Sequence, residues 1–171
     1  FILMLIPIPE SLAATVVIDF NDAPMQSFLT EDYFEDGFKM ELVSGHYDIS
    51  GSDFSSNGTH FLGIDQFSDD PSVVKFSALN GRLFDFLSYE NVNLEEVIIR
   101  SSAGGLATMQ QEGMNFFSGS EWRNLQWLSF SSDAPVGGVG IDSLTLTSAV
   151  PVPPAFWLFA SAVAVFCKKR S

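Results

Sequence analysis

Phe38-Lys39-Met40-Glu41-Leu42-Val43 alternates apolar and polar side chains, and this stretch decides the fold class. Successive side chains of a β-strand point to opposite faces, so the alternation predicts a strand with one buried face. Thr15–Phe20, rich in β-branched and aromatic residues, predicts another strand that ends at the turn signal in 21–24. The same signals predict further strands at His60–Ile64, Ser72–Ala78, Leu83–Tyr89, Glu95–Ser101, Met114–Phe117, Trp127–Ser131 and Ile141–Thr147.

Turn-forming residues separate these runs, among them Asn80-Gly81 and Gly137-Gly138. Short strands at regular spacing predict an all-β fold, a two-sheet antiparallel β-sandwich or a barrel. Short helical turns are an open alternative at 95–100 and 110–117. The acidic stretch 25–37 is expected to form a loop or a short strand that leads into the sheet.

The composition describes a folded and acidic protein. Hydrophobic residues make up 46% of the 171 residues, enough for a sizeable core, and 17 of them are Phe, which favours strands. The formal net charge is −13, from 21 acidic and 8 basic residues. A protein with this negative charge repels the phosphate backbone of nucleic acids, so we expect no nucleic-acid binding. Cys167 is the only cysteine, so no intrachain disulfide can form.

Residues 1–14 are interpreted as a partial signal peptide. Phe1–Ile8 is an uncharged apolar run, and the small residues after it suit signal-peptidase cleavage after Ala13 or Ala14. The sequence begins without Met and without a basic segment, which we interpret as the second half of a signal peptide whose start is missing. The alternative is a buried first strand, which the prolines in this segment oppose.

The C-terminal tail has the composition of a short membrane segment. Residues 150–167 carry no charge, and a basic cluster follows at 168–170. The prolines at 151, 153 and 154 cannot lie inside a continuous helix, so a hydrophobic helix is predicted over Ala155–Cys167. These 13 residues reach roughly 20 Å, against about 30 Å for a bilayer core. The basic cluster is expected to stay on the cytoplasmic side. The tail is either a removable sorting signal or a permanent anchor.

This tail resembles the PEP-CTERM family of exosortase sorting signals, in the Val-Pro-x-Pro variant. That family has a proline box, an apolar helix that begins with Trp-Leu-Phe, and a basic end. Val152 stands here where the usual box has Glu. The resemblance covers residues 150–171 and implies export across the inner membrane of a Gram-negative bacterium, exosortase cleavage near the box, and a destination at the cell surface or outside. The matching residues are Val150, Pro151, Val152, Pro153, Trp157, Leu158, Phe159, Lys168, Lys169 and Arg170.

Residues 15–149 resemble the acidic sandwich modules found ahead of such tails, for which a galactose-binding-like jelly roll is the expected fold. The matching motifs are Ile18-Asp19-Phe20 at the opening strand and Gly140–Leu144 at the closing one. Modules of this type often hold a structural calcium ion by carboxylates near the first and last strands. The resemblance therefore implies Asp19, Asp22 and Asp142 as calcium ligands. The alternative is a set of surface carboxylates without an ion.

The sequence shows no catalytic constellation. His46 and His60 lack the spacing of a zinc protease, and the Gly-x-Ser-x-Gly motif of hydrolases is absent. We therefore expect no enzymatic activity. A sugar site needs an exposed aromatic ring that stacks on a pyranose. Trp122 follows the loop at 118–120 and is the candidate ring, whereas Trp127 has the pattern of a core residue.

Together these features predict an exported, non-catalytic module. Its expected partners are the exosortase, the inner membrane before processing, and an extracellular polysaccharide bound by the β-sandwich. One alternative is a structural or protein-interaction module that binds no sugar. Another is a divergent glycan-active enzyme that uses a pair of the abundant carboxylates.

Overall fold

Thirteen strands lie in the part of the chain that the structure describes. The computed structural model describes residues 13–51, 58–64, 71–132 and 138–149. The chain divides into a compact unit of Thr15–Ser148 and a unit that contains the two chain ends, most of which lies outside the described residues. The described strands are β1 (Ala13–Ile18), β2 (Gln26–Leu29), β3 (Tyr33–Glu35), β4 (Phe38–Ser44), β5 (Tyr47–Ser50), β6 (Phe61–Ile64), β7 (Val73–Ala78), β8 (Phe84–Asn91), β9 (Val97–Ser101), β10 (Leu106–Met109), β11 (Gly113–Phe116), β12 (Leu128–Ser131) and β13 (Val139–Ala149). A 3₁₀ turn, Ser120–Trp122, precedes β12.

The strands form two sheets. A seven-stranded sheet has the order β11-β8-β13-β6-β5-β2, with β1 also paired to β13. A six-stranded sheet has the order β10-β9-β12-β7-β4-β3. Strands β2 to β13 pair antiparallel with their neighbours, and Leu128 of β12, for example, lies opposite Phe76 of β7. The predicted all-β sandwich of two antiparallel sheets is confirmed.

One hydrophobic core joins the inner faces of the two sheets. Aromatic rings make many of the contacts between them, since Phe supplies a large area per side chain. Phe38 of the six-stranded sheet meets Phe84 of the seven-stranded sheet edge to face, with ring centroids 5.2 Å apart. Phe130 meets Phe86 and Tyr89 in the same way, at 6.0 and 5.7 Å. Phe residues therefore supply much of the core, as the composition predicted.

The strand predictions hold with small shifts at the ends. Each of the nine predicted runs contains a strand, and the stretches left open to helical turns overlap β9 and β11. The stretch 25–37 contains β2 and β3, in line with the short-strand alternative. Sequence reasoning missed β5 and β10, strands of four residues each. Strand β1 begins at Ala13, so the predicted cleavage positions after Ala13 and Ala14 fall within its first residues.

Tyr89 places a hydroxyl group inside this core. Its side chain is 0% exposed, and within the described part of the chain the hydroxyl has no hydrogen-bond partner. Burial raises the pKa of Tyr89, so the group stays protonated. A buried polar group without a partner costs about 1–3 kcal/mol of desolvation.

Tyr89→Phe is therefore expected to keep the fold and to raise the free energy of unfolding by about 1 kcal/mol. Urea unfolding followed by circular dichroism measures the change. Phe130→Tyr, which adds a hydroxyl to another fully buried ring, is the matched control and should destabilise the protein. A lower midpoint for Tyr89→Phe would show that the hydroxyl has a favourable partner.

Candidate functional site

Asp142, one of the predicted calcium ligands, lies inside the protein. Its side chain is 0% exposed on β13. One carboxylate oxygen accepts a hydrogen bond from Thr59 Oγ1 at 2.5 Å, and the other accepts one from the Ser143 backbone N–H at 2.6 Å. The register of β13 against β8 shifts just after Asp142, and Ser143 has a φ of +50°. The bulge therefore directs this carboxyl group towards the 58–60 segment.

Asp19 and Asp22 lie at the turn that follows β1. Asp19 is half-buried and its Oδ1 accepts the Asn21 N–H at 3.1 Å, whereas Asp22 is exposed. His60 holds the same turn from the other side. Its backbone N–H donates to Asn21 Oδ1 at 3.1 Å, and its ring Nδ1 lies 3.2 Å from the Ala23 carbonyl oxygen. The first turn and the last strand are thus both tied to the segment at 59–60.

These contacts do not assemble a metal site. Within residues 13–51, 58–64, 71–132 and 138–149, no three His, Cys, Asp or Glu side chains lie close enough together to hold an ion. Calcium needs six to eight oxygen ligands, and both oxygens of Asp142 accept hydrogen bonds. Calcium binding by Asp19, Asp22 and Asp142 stays a prediction.

Sequence reasoning missed the carboxylate that holds the end of β1. Glu35 on β3 accepts the backbone N–H groups of Asp19 and Phe20, both at 3.3 Å, and the Tyr33 hydroxyl at 2.8 Å. Phe20 is fully buried with a φ of +57°, so its backbone needs this support. The available signal was the spacing of Tyr33 and Glu35, because residues two apart on a strand share one face.

Burial raises the pKa of the Glu35 carboxyl group above its ordinary value. The hydrogen bonds from Tyr33, Asp19 and Phe20 lower it, and the nearby Asp19 carboxylate raises it again. Burial also raises the pKa of Tyr33, together with its hydrogen bond to Glu35 and the charges of Asp19 and Asp22. An acid whose pKa is higher in the folded state binds more protons there than in the unfolded chain.

The contribution of Glu35 to stability is therefore expected to fall as the pH rises. It is fully present below the unfolded pKa and is lost as the pH passes through the higher folded pKa. Relative to Glu35→Gln, the wild type should lose stability from pH 3 to pH 7, as measured by urea unfolding at each pH. Asp36→Asn removes one carboxylate at an exposed neighbour and is the matched control with which the effect of Glu35→Gln is compared. A wild-type advantage that grows with pH contradicts the raised pKa.

The predicted exposure of Trp122 is wrong. It was predicted as the exposed ring of a sugar site, but it is only 5% exposed. Its ring lies 4.7 Å from that of Phe117 and 5.9 Å from that of Phe86, centroid to centroid. Trp127, predicted to be in the core, is half-buried. The 3₁₀ turn directs Trp122 inwards, so its ring faces contact other side chains and are not free to stack on a pyranose.

A shallow cavity of about 300 Å³ lies beside β2 and β5. Among the residues that the structure describes, those that line it are apolar or neutral. Its lining residues are Met25, Gln26, Ser27, Ile49, Ser50 and Gly51.

The residues of the predicted sorting signal, 150–171, lie outside the described residues, as does the predicted helix over Ala155–Cys167. Among the residues that the structure describes, no helix has the length and apolar character needed to cross a membrane. Comparison with models of known protein families and with curated proteins finds no match.

Proposed function

We propose that this protein is an exported, non-catalytic β-sandwich module that an exosortase releases from the inner membrane. The observation that carries the proposal is the position of the proline box. The last strand, β13, ends at Ala149, and Val150-Pro151-Val152-Pro153 follows at once. A protease that recognises the box would therefore cut after residue 149 in the sequence and leave the described residues of β13 in the mature protein.

Strand order supports a jelly roll as the finer description of the sandwich. Strand β13 lies between β6 and β8 in one sheet, and β12 lies between β9 and β7 in the other. The chain also changes sheets between β6 and β7, between β7 and β8, and between β8 and β9. Such crossings, with non-consecutive antiparallel neighbours, are typical of Greek-key sandwiches.

Within this proposal, the module acts through its surface as a structural or protein-interaction domain outside the cell. The burial of Trp122 favours this role over sugar binding, because Trp122 was the best candidate ring for a sugar site. An extracellular polysaccharide matrix remains the proposed setting. A glycan array separates the two roles: a specific, saturable signal would restore the sugar-binding alternative.

The mature protein is expected to end near the proline box and to lack Trp157 and all later residues. The prolines favour an extended backbone that a protease can reach, and the apolar segment is too short for a comfortable permanent anchor. Intact-mass spectrometry of protein recovered from the native host measures the cleavage. Replacing both Pro151 and Pro153 by Ala should leave the full-length form in the inner membrane, which is an all-or-none change in mass.

Pro135→Ala is the matched control, because Pro135 lies upstream of the box, and its mature mass should change only by the substitution itself. Recovery of mature wild-type protein that still carries Lys168-Lys169-Arg170 would show that the tail is an anchor.

A further inference from the structure

The connection from β7 to β8 carries an Asn-Gly pair, Asn80-Gly81, at an exposed turn. This connection crosses from the six-stranded sheet to the seven-stranded sheet. Both residues of the pair are exposed, and apart from its chain neighbours Gly81 has no heavy atom within 4 Å of the position where a Cβ would lie. Gly81 has a φ of +67°, a conformation that favours glycine. The pair is therefore open to solvent.

The turn holds the Asn80 side chain against the backbone that follows it. Asn80 Oδ1 accepts a hydrogen bond from the Arg82 backbone N–H at 2.9 Å, as is typical of Asn in turns. This bond closes a small ring of atoms that contains both the Gly81 nitrogen and the amide carbon of Asn80, Cγ. The Gly81 N–H donates to the Ala78 carbonyl at 3.0 Å, and this second bond has to open before the nitrogen can react.

We propose that Asn80 is a site of spontaneous deamidation. Hydroxide takes the proton of the Gly81 nitrogen, which then forms a bond with Asn80 Cγ. The bond from Cγ to the amide nitrogen breaks, and that nitrogen takes a proton from water and leaves as ammonia. Water opens the resulting succinimide at one of its two carbonyl carbons, which gives aspartate or isoaspartate at position 80. The Arg82 N–H already donates to Oδ1, the oxygen that carries the negative charge as the ring closes.

The following residue favours Asn80 over the other asparagines in the part of the chain that the structure describes. A side chain on the next residue hinders the approach of its nitrogen, and only glycine has no Cβ. The other described asparagines all precede a residue with a side chain: Asn21, Asn91, Asn93, Asn115 and Asn124. Asn91 and Asn115 are also buried. Asn57 precedes Gly58 as well, and it lies outside the described residues.

Deamidation changes both the charge and the length of the connection. Either product adds a carboxylate to a chain whose formal charge is already −13. Isoaspartate also routes the main chain through the former side chain, which adds a methylene group between the two sheets. The modified protein is therefore more acidic, and its β7–β8 connection is longer.

The test incubates the full chain at mildly alkaline pH and follows each asparagine by tryptic digestion and mass spectrometry. Cleavage after Lys75 and Arg82 releases peptide 76–82, in which Asn80 is the one asparagine, and peptide 83–100 contains Asn91 and Asn93 as internal controls. Asn80 should convert at least about tenfold faster than either control, because its neighbour has no Cβ. The rate should rise with pH, since hydroxide removes the Gly81 proton.

Gly81→Ala should slow conversion at Asn80 at least about tenfold. Gly104→Ala is the matched control and should leave the rate at Asn80 unchanged. Gly104 has a φ of +88°, open space at its Cβ position and an N–H that donates to the carbonyl three residues earlier, as Gly81 does. A capped synthetic peptide of residues 76–82 gives the rate without the fold, and the full chain should react within about tenfold of it, because the turn is exposed.

Three results would overturn the proposal. The first is conversion at Asn80 that is no faster than at Asn91 and Asn93. The second is an unchanged rate in Gly81→Ala, which would show that the Gly81 nitrogen is not the attacking atom. The third is a rate in the full chain more than about tenfold below that of the capped peptide, which would show that the folded turn blocks the reaction.

Discussion

Phe86→Ala is expected to lower the free energy of unfolding by about 3–5 kcal/mol, the usual cost of removing a fully buried ring. Phe86 is 0% exposed, and its ring centroid lies 4.5 Å from that of Phe117 and 6.0 Å from that of Phe130 in the other sheet. Trp122 covers it from the 3₁₀ turn. Truncation would leave a cavity between the sheets that rigid neighbouring rings cannot close. Urea unfolding followed by circular dichroism measures the loss.

Phe116→Ala is the matched control, because the same ring is removed where it is 77% exposed. Its effect should stay within about 0.5 kcal/mol. Similar midpoints for the two variants would contradict the placement of Phe86 in the core.

Asp142→Ala is expected to lower the free energy of unfolding by about 2 kcal/mol, because it leaves two half-buried donors without their acceptor, and a fully buried donor without an acceptor costs about 1–3 kcal/mol. The donors are the Thr59 hydroxyl and the Ser143 N–H. Asp142→Asn keeps one oxygen acceptor and should lose less. Asp22→Ala removes an exposed carboxylate and should have little effect. Equal stability of Asp142→Ala and the wild type would show that the buried carboxyl group is not needed.

The same variants test calcium. If Asp19, Asp22 and Asp142 share an ion, millimolar calcium should raise the melting temperature of the wild type by mass action on the folded state. Asp142→Ala should abolish that rise. Asp22→Ala separates calcium binding from folding stability better than Asp142→Ala does. Without calcium its melting temperature should equal that of the wild type, and with calcium the rise in melting temperature should be absent. An unchanged wild-type midpoint in calcium would show that these carboxylates hold no ion.

The fold class was predictable because its signal is local. The alternation in Phe38–Val43 follows from which side chains face the core, so six consecutive residues are enough to show it. Strands β5 and β10 were missed, although β6, β11 and β12 are equally short and were predicted. Their strand conformation depends on pairing with β6 and β9, which lie elsewhere in the chain.

The candidate site was predictable only in part. The sequence predicted a site near the first and last strands, and the segment at 59–60 does contact both the first turn and the last strand. It did not indicate that Glu35 holds the backbone at Asp19 and Phe20, because the spacing of Tyr33 and Glu35 shows only that they share a face and not which distant backbone the carboxylate reaches. It also predicted that Trp122 is exposed and that Trp127 is in the core, whereas Trp122 is the more buried of the two. A single 3₁₀ turn decides which way Trp122 points.

The sequence by itself determined that this protein is acidic, rich in Phe and built of short strands. Composition is read from the residue types alone, and alternation from neighbouring residues. Only the tertiary structure decided which carboxylates and rings are buried. Thr59 and Asp142 are 83 residues apart in the chain and share a hydrogen bond, and Trp122 is covered by Phe86 from another strand. Burial is a property of the whole packed chain, because each side chain is shielded by residues that its own neighbourhood in the sequence does not contain.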